Sequence, residues 1–247
     1  INKQDKHLHN TFIGALQKHF KKSDFILGNS VKKFEINFSN FTKSKFAIGC
    51  ANGTDALYLA LKVLNLPKNS EVIVPAMTWV STVLAIVNNN LKPILVDVNK
   101  DDCLISLSEI KKNLSSKTKV ILPVNLYGGV VNIKEIKNII KNKKIFIIED
   151  SAQAHGGKDN FGNNIGKHSD LSCYSFYPGK NLGCYGDGGM ITTNKNKFYQ
   201  KIIKLRNLGQ KRKNIHDEIG VNSRLDSIQA SLLNLKLKSL KKLNLKR

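Results

Sequence analysis

Several residue types are scarce in this 247-residue chain, and each scarcity bears on its class. The four cysteines are scattered and form no C-x-x-C pair, which argues against a zinc ribbon or a disulfide scaffold. Cysteine usage of this kind fits a reducing compartment, so we expect a cytoplasmic protein. No apolar run approaches the length of a membrane span, so we expect no membrane partner.

The N-terminal segment also lacks a recognisable targeting signal. Residues 1–20 are polar and have no apolar core of the kind that a secretory signal requires. The first residue is Ile1 rather than methionine. We therefore expect the chain to be a piece of a longer protein.

Acidic residues are few, with 18 Asp and Glu against 40 Lys and Arg, which gives a formal net charge of +22. A nucleic-acid-binding surface is one interpretation, and lysine dispersed over solvated faces is the other. Arginine, which binds phosphates and bases through two parallel hydrogen bonds, supplies only four of the basic residues. The composition therefore favours dispersed surface lysine without a nucleic-acid partner, and an anionic small substrate is compatible with it.

What is present is an alternation of short apolar runs and helical periodicity from about residue 46 onward. The capping box Ser106-x-x-Glu109 starts one of the predicted helices. Strands are predicted at residues 46–50, 71–74, 93–98, 120–124, 145–148, 171–176 and 190–193. Apolar strands separated by helices indicate an α/β fold, a three-layer sandwich around a mostly parallel sheet of about seven strands.

The pattern changes after Phe198. We predict a helix over residues 198–207, a polar loop over 211–219, and a long amphipathic helix over 224–245. In parallel sheets, ligands bind beyond the carboxyl ends of the strands, so residues that directly follow strands are the first candidates for a site.

Two of these strand ends offer an anion site and an aromatic ring. Gly53 and Thr54 follow the first strand and open a helix, whose free N–H groups can bind an anion. The alternative is that Thr54 is an ordinary N-cap. Trp79, the single tryptophan, follows the second strand and is either a flat platform for a ring or a core aromatic.

The fifth strand ends in a pair of carboxylates. A charged carboxylate at the end of a buried strand costs free energy unless it is paired, which singles out Asp150. Gln153 lies three residues later, so a short helix would place both side chains on one face. The alternative is that Asp150 caps a helix.

The sixth strand runs into Ser175 and then into a turn rich in glycine and proline that contains Lys180. A lysine beside a desolvated pocket can lose its proton and form an imine, although the chain has 36 lysines. The glycines between residues 183 and 189 lie between two strands and therefore do not form a dinucleotide fingerprint.

Together, the strand ends supply an anion cup, a ring platform, a carboxylate, an amide and an amine. Pyridoxal 5'-phosphate requires this set of groups. No metal site is predicted.

Six motifs carry a family resemblance. The chain resembles the DegT-type nucleotide-sugar aminotransferases, fold-type I pyridoxal phosphate enzymes of the aspartate aminotransferase superfamily. The motifs occur in family order over nearly the whole chain, and the block around Lys180 is long and specific. They are G-C-A-N-G-T-D-A-L, P-A-M-T-W-V-S-T, P-V-N-L-Y-G, I-E-D-S-A-Q-A-H-G, S-D-L-S-C-Y-S-F-Y-P-G-K-N-L-G-C-Y-G-D-G-G and G-V-N-S-R-L-D-S-I-Q-A.

The resemblance implies roles for single residues. Lys180 would bond covalently to the cofactor and move protons, and Asp150 would keep the ring nitrogen protonated. Gln153 would hydrogen-bond the ring oxygen, and Trp79 would stack on the ring. The phosphate would be held by Gly53, Thr54 and Ser175.

The resemblance also implies an assembly and a domain organisation. Asn222, in G-V-N-S-R, would reach the phosphate of the neighbouring subunit's cofactor, which makes the protein a homodimer with shared active sites. We expect an N-terminal helical segment at 1–30, a cofactor-binding large domain at 31–222, and a long helix at 223–247. That helix would lead to a small C-terminal domain that the chain lacks.

The implied reaction transfers an amino group from L-glutamate to a nucleoside-diphosphate-linked 3- or 4-keto-6-deoxyhexose. Such reactions serve the biosynthesis of cell-surface polysaccharides such as lipopolysaccharide O-antigen. One alternative is a pyridoxal-dependent sugar dehydratase of the same family, but those enzymes carry histidine in place of the lysine, and Lys180 argues against it. The other is a non-catalytic homologue that acts as a regulator or a basic nucleic-acid-binding module.

Overall fold

A computed structural model describes residues 8–141 and 143–246. The part of the predicted N-terminal segment at residues 1–7 lies outside the described residues. Eight α-helices occur within the described ranges. They are α1 (His9–Lys22), α2 (Asn29–Thr42), α3 (Gly53–Lys62), α4 (Val80–Val87), α5 (Leu107–Asn113), α6 (Ile133–Ile140), α7 (Asn196–Leu205) and α8 (Ser227–Asn244).

Seven strands form the central sheet, in the spatial order β1-β7-β6-β5-β4-β2-β3. The strands are β1 (Phe46–Cys50), β2 (Glu71–Pro75), β3 (Lys92–Val96), β4 (Thr118–Ile121), β5 (Phe146–Asp150), β6 (Leu171–Ser175) and β7 (Gly189–Thr193). Strand β7 is antiparallel to both of its neighbours, and every other pair is parallel. The predicted α/β fold with a mostly parallel sheet of seven strands is confirmed.

Helices cover both faces of the sheet, because successive strand residues point to opposite faces. On one face, Ile48 and Ile148 pack with apolar residues of α3, α4 and α7. On the other face, Ala47 and Tyr174 pack with α2 and α8, and a third cluster joins Ile147 to α5 and α6. Strands buried on both faces carry mostly apolar residues, which is why the sequence indicated them.

The C-terminal part differs in detail from the prediction. The segment predicted as a polar loop at 211–219 contains a small hairpin, β8 (Gln210–Arg212) with β9 (Ile215–His216). Four of the five strand residues in this hairpin are polar or charged, and Ile215 is the apolar one. No alternation of apolar and polar residues therefore indicated a strand. No helix among residues 8–141 and 143–246 is long and apolar enough to cross a membrane.

Candidate functional site

A cavity of about 430 Å³ opens at the carboxyl ends of β1, β2, β5 and β6. Strand β1 runs parallel to β6, since both are antiparallel to β7, so these four strands end at the same edge. Seven of the eight candidate site residues line this cavity. They are Gly53, Thr54, Trp79, Asp150, Gln153, Ser175 and Lys180.

The anion cup is the first turn of α3. The N-cap is Asn52, whose side-chain oxygen accepts a hydrogen bond from the Asp55 amide at 2.8 Å, so the alternative that Thr54 is the cap was wrong. Thr54 instead donates its hydroxyl to Ser81 Oγ at 2.9 Å. The amides of Gly53 and Thr54 belong to the first turn, where N–H groups have no intrahelical acceptor and the helix dipole favours an anion.

The end of β6 closes the cup from the other side. A Cβ on Gly53 would lie 2.6 Å from Ser175 Cβ and 3.1 Å from Ser175 Oγ. Only glycine therefore allows the start of α3 to approach the end of β6 this closely. The approach brings a hydroxyl group to the same place as the free amides.

Asp150 is the last residue of β5 and is 5% exposed. Its Oδ2 accepts a hydrogen bond from Thr82 Oγ1 at 2.8 Å, and its Oδ1 accepts one from the Ala152 amide at 3.1 Å. Burial raises the pKa of Asp150, while these two donors and the charge of Lys180 oppose the rise. The carboxylate is thus held by hydrogen bonds at the cavity wall but is only partly compensated in charge.

The segment after β5 is not a helix. Residues 151–157 form turns, so the predicted short helix and the alternative of an N-cap aspartate were both wrong. Asp150 and Gln153 nevertheless line the same cavity, because the turn brings them there. Gln153 Oε1 accepts a hydrogen bond from the Tyr127 amide at 3.0 Å, which fixes the amide's position.

Lys180 lies in the turn after β6 and is partly buried. Burial lowers its pKa, and the negative charge of Asp150 opposes this effect. An amine with a lowered pKa is more often neutral and therefore more nucleophilic. Lys180 thus combines a cavity that desolvates its amine with a buried carboxylate in the same cavity lining.

Trp79 lines the cavity and is 72% exposed, so the core-aromatic alternative was wrong. It directly precedes α4, as its N-cap. An indole ring that no core surrounds offers a free face at the cavity mouth.

Asn222 is the candidate that the cavity lining does not include. It is exposed, and its backbone pairs with Asn207 in an isolated antiparallel bridge. Its side chain is therefore open to contact from outside the chain.

Sequence reasoning missed Thr78, Ser81 and Thr82, which line the cavity together. Thr82 reaches Asp150, and Thr78 Oγ1 lies 2.7 Å from Thr82 Oγ1. A signal existed: Ser81 and Thr82 are the polar residues of α4, in the otherwise apolar sequence V-S-T-V-L-A-I-V. Two hydroxyls at the start of an apolar helix beside a strand end indicate a polar site.

The family model described as the DegT/DnrJ/EryC1/StrS aminotransferase family matches residues 6–247. The chain belongs to this family. The resemblance that the motifs carry is thereby confirmed over almost the whole chain.

Two curated relatives illustrate the range of names within the family. A dTDP-3-amino-3,6-dideoxy-alpha-D-galactopyranose transaminase from Aneurinibacillus thermoaerophilus is 40% identical over 90% of this chain and 61% of its own length. A protein from Geobacillus stearothermophilus named as a pleiotropic regulatory protein is 38% identical over 96% of this chain and 63% of its own length. The chain thus spans about three fifths of the length of the curated relatives it matches.

The fold is shared with solved structures. Streptomyces venezuelae DesV, solved in complex with a ketimine intermediate, superposes with a TM-score of 0.94 at 33% identity, covering 97% of this chain and 64% of that one. Further solved structures of this fold hold the cofactor PMP or a PLP–glutamate adduct.

Proposed function

We propose that this family member is a pyridoxal phosphate-dependent aminotransferase that converts a nucleoside-diphosphate-linked keto-sugar to an amino sugar. The observation that carries the proposal is the shared lining of one cavity by Lys180, Asp150 and the first turn of α3. An amine, a buried carboxylate and a helix N-terminus are the groups that this cofactor needs. Relatives named as transaminases of nucleotide sugars support the substrate class.

The residues present fit the cofactor. The amides of Gly53 and Thr54 with the Ser175 hydroxyl would hold its phosphate, and the indole of Trp79 would lie on its ring. Because residue 53 is glycine, no side chain lies between the first turn of α3 and Ser175, and the backbone amides can approach a phosphate directly. When bound, the cofactor supplies an electron sink for the carbon that gains or loses the amino group.

Asp150 would keep the ring nitrogen of the cofactor protonated. A neighbouring cation stabilises the ionised form of a buried carboxylate with a raised pKa, because its charge offsets the cost of desolvation. The hydrogen bonds from Thr82 and Ala152 orient both carboxylate oxygens before the cofactor binds. The site is therefore preorganised for a positive charge at the ring nitrogen.

Lys180 would bond to the cofactor and move protons at its Nζ atom. Its lowered pKa increases the neutral fraction, which both the covalent step and proton acceptance need. Gln153, which lines the same cavity, would hydrogen-bond the ring oxygen.

L-glutamate is the proposed amino donor, and cell-surface polysaccharide biosynthesis in the cytoplasm is the proposed context. The site that takes the sugar would lie beyond the ring, towards the exposed side chains of Trp79, Tyr127 and Tyr177. Exposed aromatic side chains of this kind suit contact with a sugar ring or with another chain.

We propose a homodimer with shared sites in which Asn222 reaches the partner's phosphate cup. Its exposure and its position outside the lining of its own cavity support this role. Residues 31–222 would be the cofactor-binding large domain, with helical segments before and after it.

The test has two steps. Purified chain is loaded with pyridoxal phosphate, reduced with borohydride and mapped, and we expect the label on Lys180. The loaded protein is then given L-glutamate and a panel of 3- and 4-keto-sugar nucleotides, with product masses measured. An amino sugar supports the proposal; a deoxygenated sugar without nitrogen would favour the dehydratase; cofactor bound without turnover would favour a regulator.

A further inference from the structure

A cluster of three side chains next to Lys180 lies outside the cavity lining; its histidine is buried and its two asparagines are half-buried. His155, which is 0% exposed, places Nδ1 2.5 Å from Asn181 Oδ1. Asn181 Nδ2 donates to the His155 carbonyl at 3.0 Å and to Asn244 Oδ1 at 3.1 Å. Asn244 Nδ2 donates to the same His155 carbonyl at 2.8 Å. The four bonds close a compact network.

The network joins three separate segments of the chain. His155 belongs to the turn that follows Asp150 and Gln153, and Asn181 directly follows Lys180. Asn244 is the last residue of α8. The network therefore connects the carboxylate loop (residues 151–157), the lysine loop (residues 177–184) and the end of α8.

The hydrogen-bonding groups leave little freedom in how the network is arranged. Asn181 Nδ2 has two carbonyl acceptors, so Asn181 Oδ1 must be the acceptor facing His155, and Nδ1 must carry the proton. Burial lowers the pKa of His155 to about 4; the hydrogen bond to Asn181 opposes this shift, and the nearby charge of Lys180 adds to it. The ring is thus neutral near pH 7 and serves as a donor.

Aromatic packing holds the imidazole ring in place. The rings of Tyr174 and Phe176 both have their centroids 5.5 Å from that of His155, and Phe38 lies 6.5 Å away. A ring that is fixed by packing transmits its position to its hydrogen-bond partner, because it cannot rotate away.

The lysine loop needs such support. It contains glycine at 179 and 183, on either side of Lys180 and Asn181, and glycine gives a backbone more freedom than any other residue. Backbone hydrogen bonds from Lys180 N to Tyr177 O at 2.9 Å and from Cys184 N to Phe176 O at 2.8 Å close its ends. The Asn181 side chain ties its middle.

We propose that His155, Asn181 and Asn244 form a positioning network that fixes the lysine loop against the end of α8 and so orients the Lys180 amine toward the cofactor. This rests on the proposed function, because it gives Lys180 the covalent role. It adds that the end of α8, far along the chain, controls the presentation of the lysine.

The matched variants are Asn244→Ala and Asn234→Ala. Asn234 lies on the same helix, accepts a side-chain hydrogen bond from Asn37 at 2.7 Å and donates to the Ser30 carbonyl at 3.1 Å. The Asn234→Ala variant thus loses hydrogen bonds of the same kinds as Asn244→Ala, but away from the lysine loop. Thermal unfolding first checks that both variants fold with similar losses of stability.

The first readout is hydrogen exchange, by mass spectrometry, of the peptide covering residues 177–184 in the cofactor-free chain. Asn244→Ala removes two hydrogen bonds of the network, so we expect exchange of this peptide to become at least roughly tenfold faster. The Asn234→Ala chain should exchange like the unaltered chain. Asn181→Ala is a second variant at the network if Asn244→Ala does not fold, and it should give the same result.

The second readout is the rate at which added pyridoxal phosphate becomes reducible by borohydride onto Lys180. We expect it to fall several-fold in Asn244→Ala and to be unchanged in Asn234→Ala. Equal exchange in the two variants, or faster exchange with an unchanged attachment rate, would overturn the inference. Failure of the unaltered chain to attach the cofactor would instead refute the proposed function, so the two failures are distinguishable.

Discussion

Asp150→Asn separates the charge of this side chain from its shape. Asparagine is nearly isosteric with aspartate, and its amide can keep both existing contacts, accepting from the Ala152 amide and donating to Thr82 Oγ1. The substitution therefore removes the negative charge at the cavity and leaves the packing intact. Any change in rate then reports on the charge.

The expected loss follows from how dry the position is. Asp150 is 5% exposed, so little water is available to replace its charge. Lost electrostatic partners in water-excluded sites typically lower the rate by a factor of about 100 or more, which is about 2.7 kcal/mol at 1.36 kcal/mol per tenfold. We expect the amination rate of the keto-sugar to fall by at least that factor, while cofactor still binds.

The stability of the cofactor-free chain should change in the opposite direction. Burial raises the folded-state pKa of Asp150 above its ordinary value of 3.8. Below pH 3.8 the carboxyl is protonated in both the folded and the unfolded chain, so it does not affect the free energy of unfolding. As the pH rises above that value, ionisation stabilises the unfolded chain more than the folded chain, so the free energy of unfolding falls. Asp150→Asn removes this penalty, so it should raise the melting temperature near pH 7. The difference in melting temperature between the variant and the unaltered chain should become smaller as the pH is lowered.

The test uses two measurements. One is the amination rate with L-glutamate and the active keto-sugar, and the other is the melting curve of each cofactor-free chain between pH 4 and 8. Thr82→Val is the matched comparison, since it removes one donor but keeps the carboxylate, and should lower the rate less. A near-normal rate in Asp150→Asn would mean that the carboxylate serves only the local turn. A lower melting temperature at pH 7 would refute the reasoning about burial.

Three further predictions follow from the site. Lys180→Ala should abolish transamination without changing the melting temperature of the cofactor-free chain by more than a few degrees, and borohydride labelling of any other lysine in the unaltered chain would contradict the assignment. Gly53→Ala should weaken cofactor binding, because a Cβ 2.6 Å from Ser175 Cβ forces α3 away from the cup, and overpacking of this kind costs about 1–3 kcal/mol; isothermal titration with pyridoxal phosphate measures it. Asn222→Ala and Lys180→Ala chains, each inactive alone, should regain activity when mixed dimers form, since one of the two shared sites then has both residues; mixed dimers as inactive as their parents would exclude the shared site.

The strands of the sheet could be predicted because their burial is evident from the local sequence. A strand such as Phe146–Asp150 is covered by helices on both faces, so burial makes its first three residues apolar and recognisable in the sequence. Helix signals were equally local: Ser106 is the N-cap of α5, and its Oγ accepts from the Glu109 amide at 3.4 Å. The reciprocal bond of the predicted capping box is not formed, because the Ser106 amide donates to the Asp97 carbonyl. The hairpin at Gln210–His216 could not be predicted, because its strands are short and polar.

The site could be predicted only as a set of strand ends. Strand ends on one edge of a sheet must meet, so the position of the cavity followed from the order of the elements. How each side chain gets there did not follow: Gln153 arrives through a turn rather than a helix, and Thr82 reaches Asp150 from a helix that begins 70 residues earlier in the chain. A contact between residues that lie 68 positions apart in the chain depends on the tertiary fold, which no local pattern encodes.

Lys180 shows why composition cannot identify a reactive lysine. Its neighbours in sequence are glycine, proline and asparagine, which any surface turn can contain. What distinguishes it is that the cavity desolvates its amine while a buried carboxylate, drawn from a strand 30 residues earlier, faces the same space. The first effect favours the neutral amine and the second the charged one. A lysine held between these opposing effects can change its protonation state at small cost, and proton transfer at a reacting carbon requires that property.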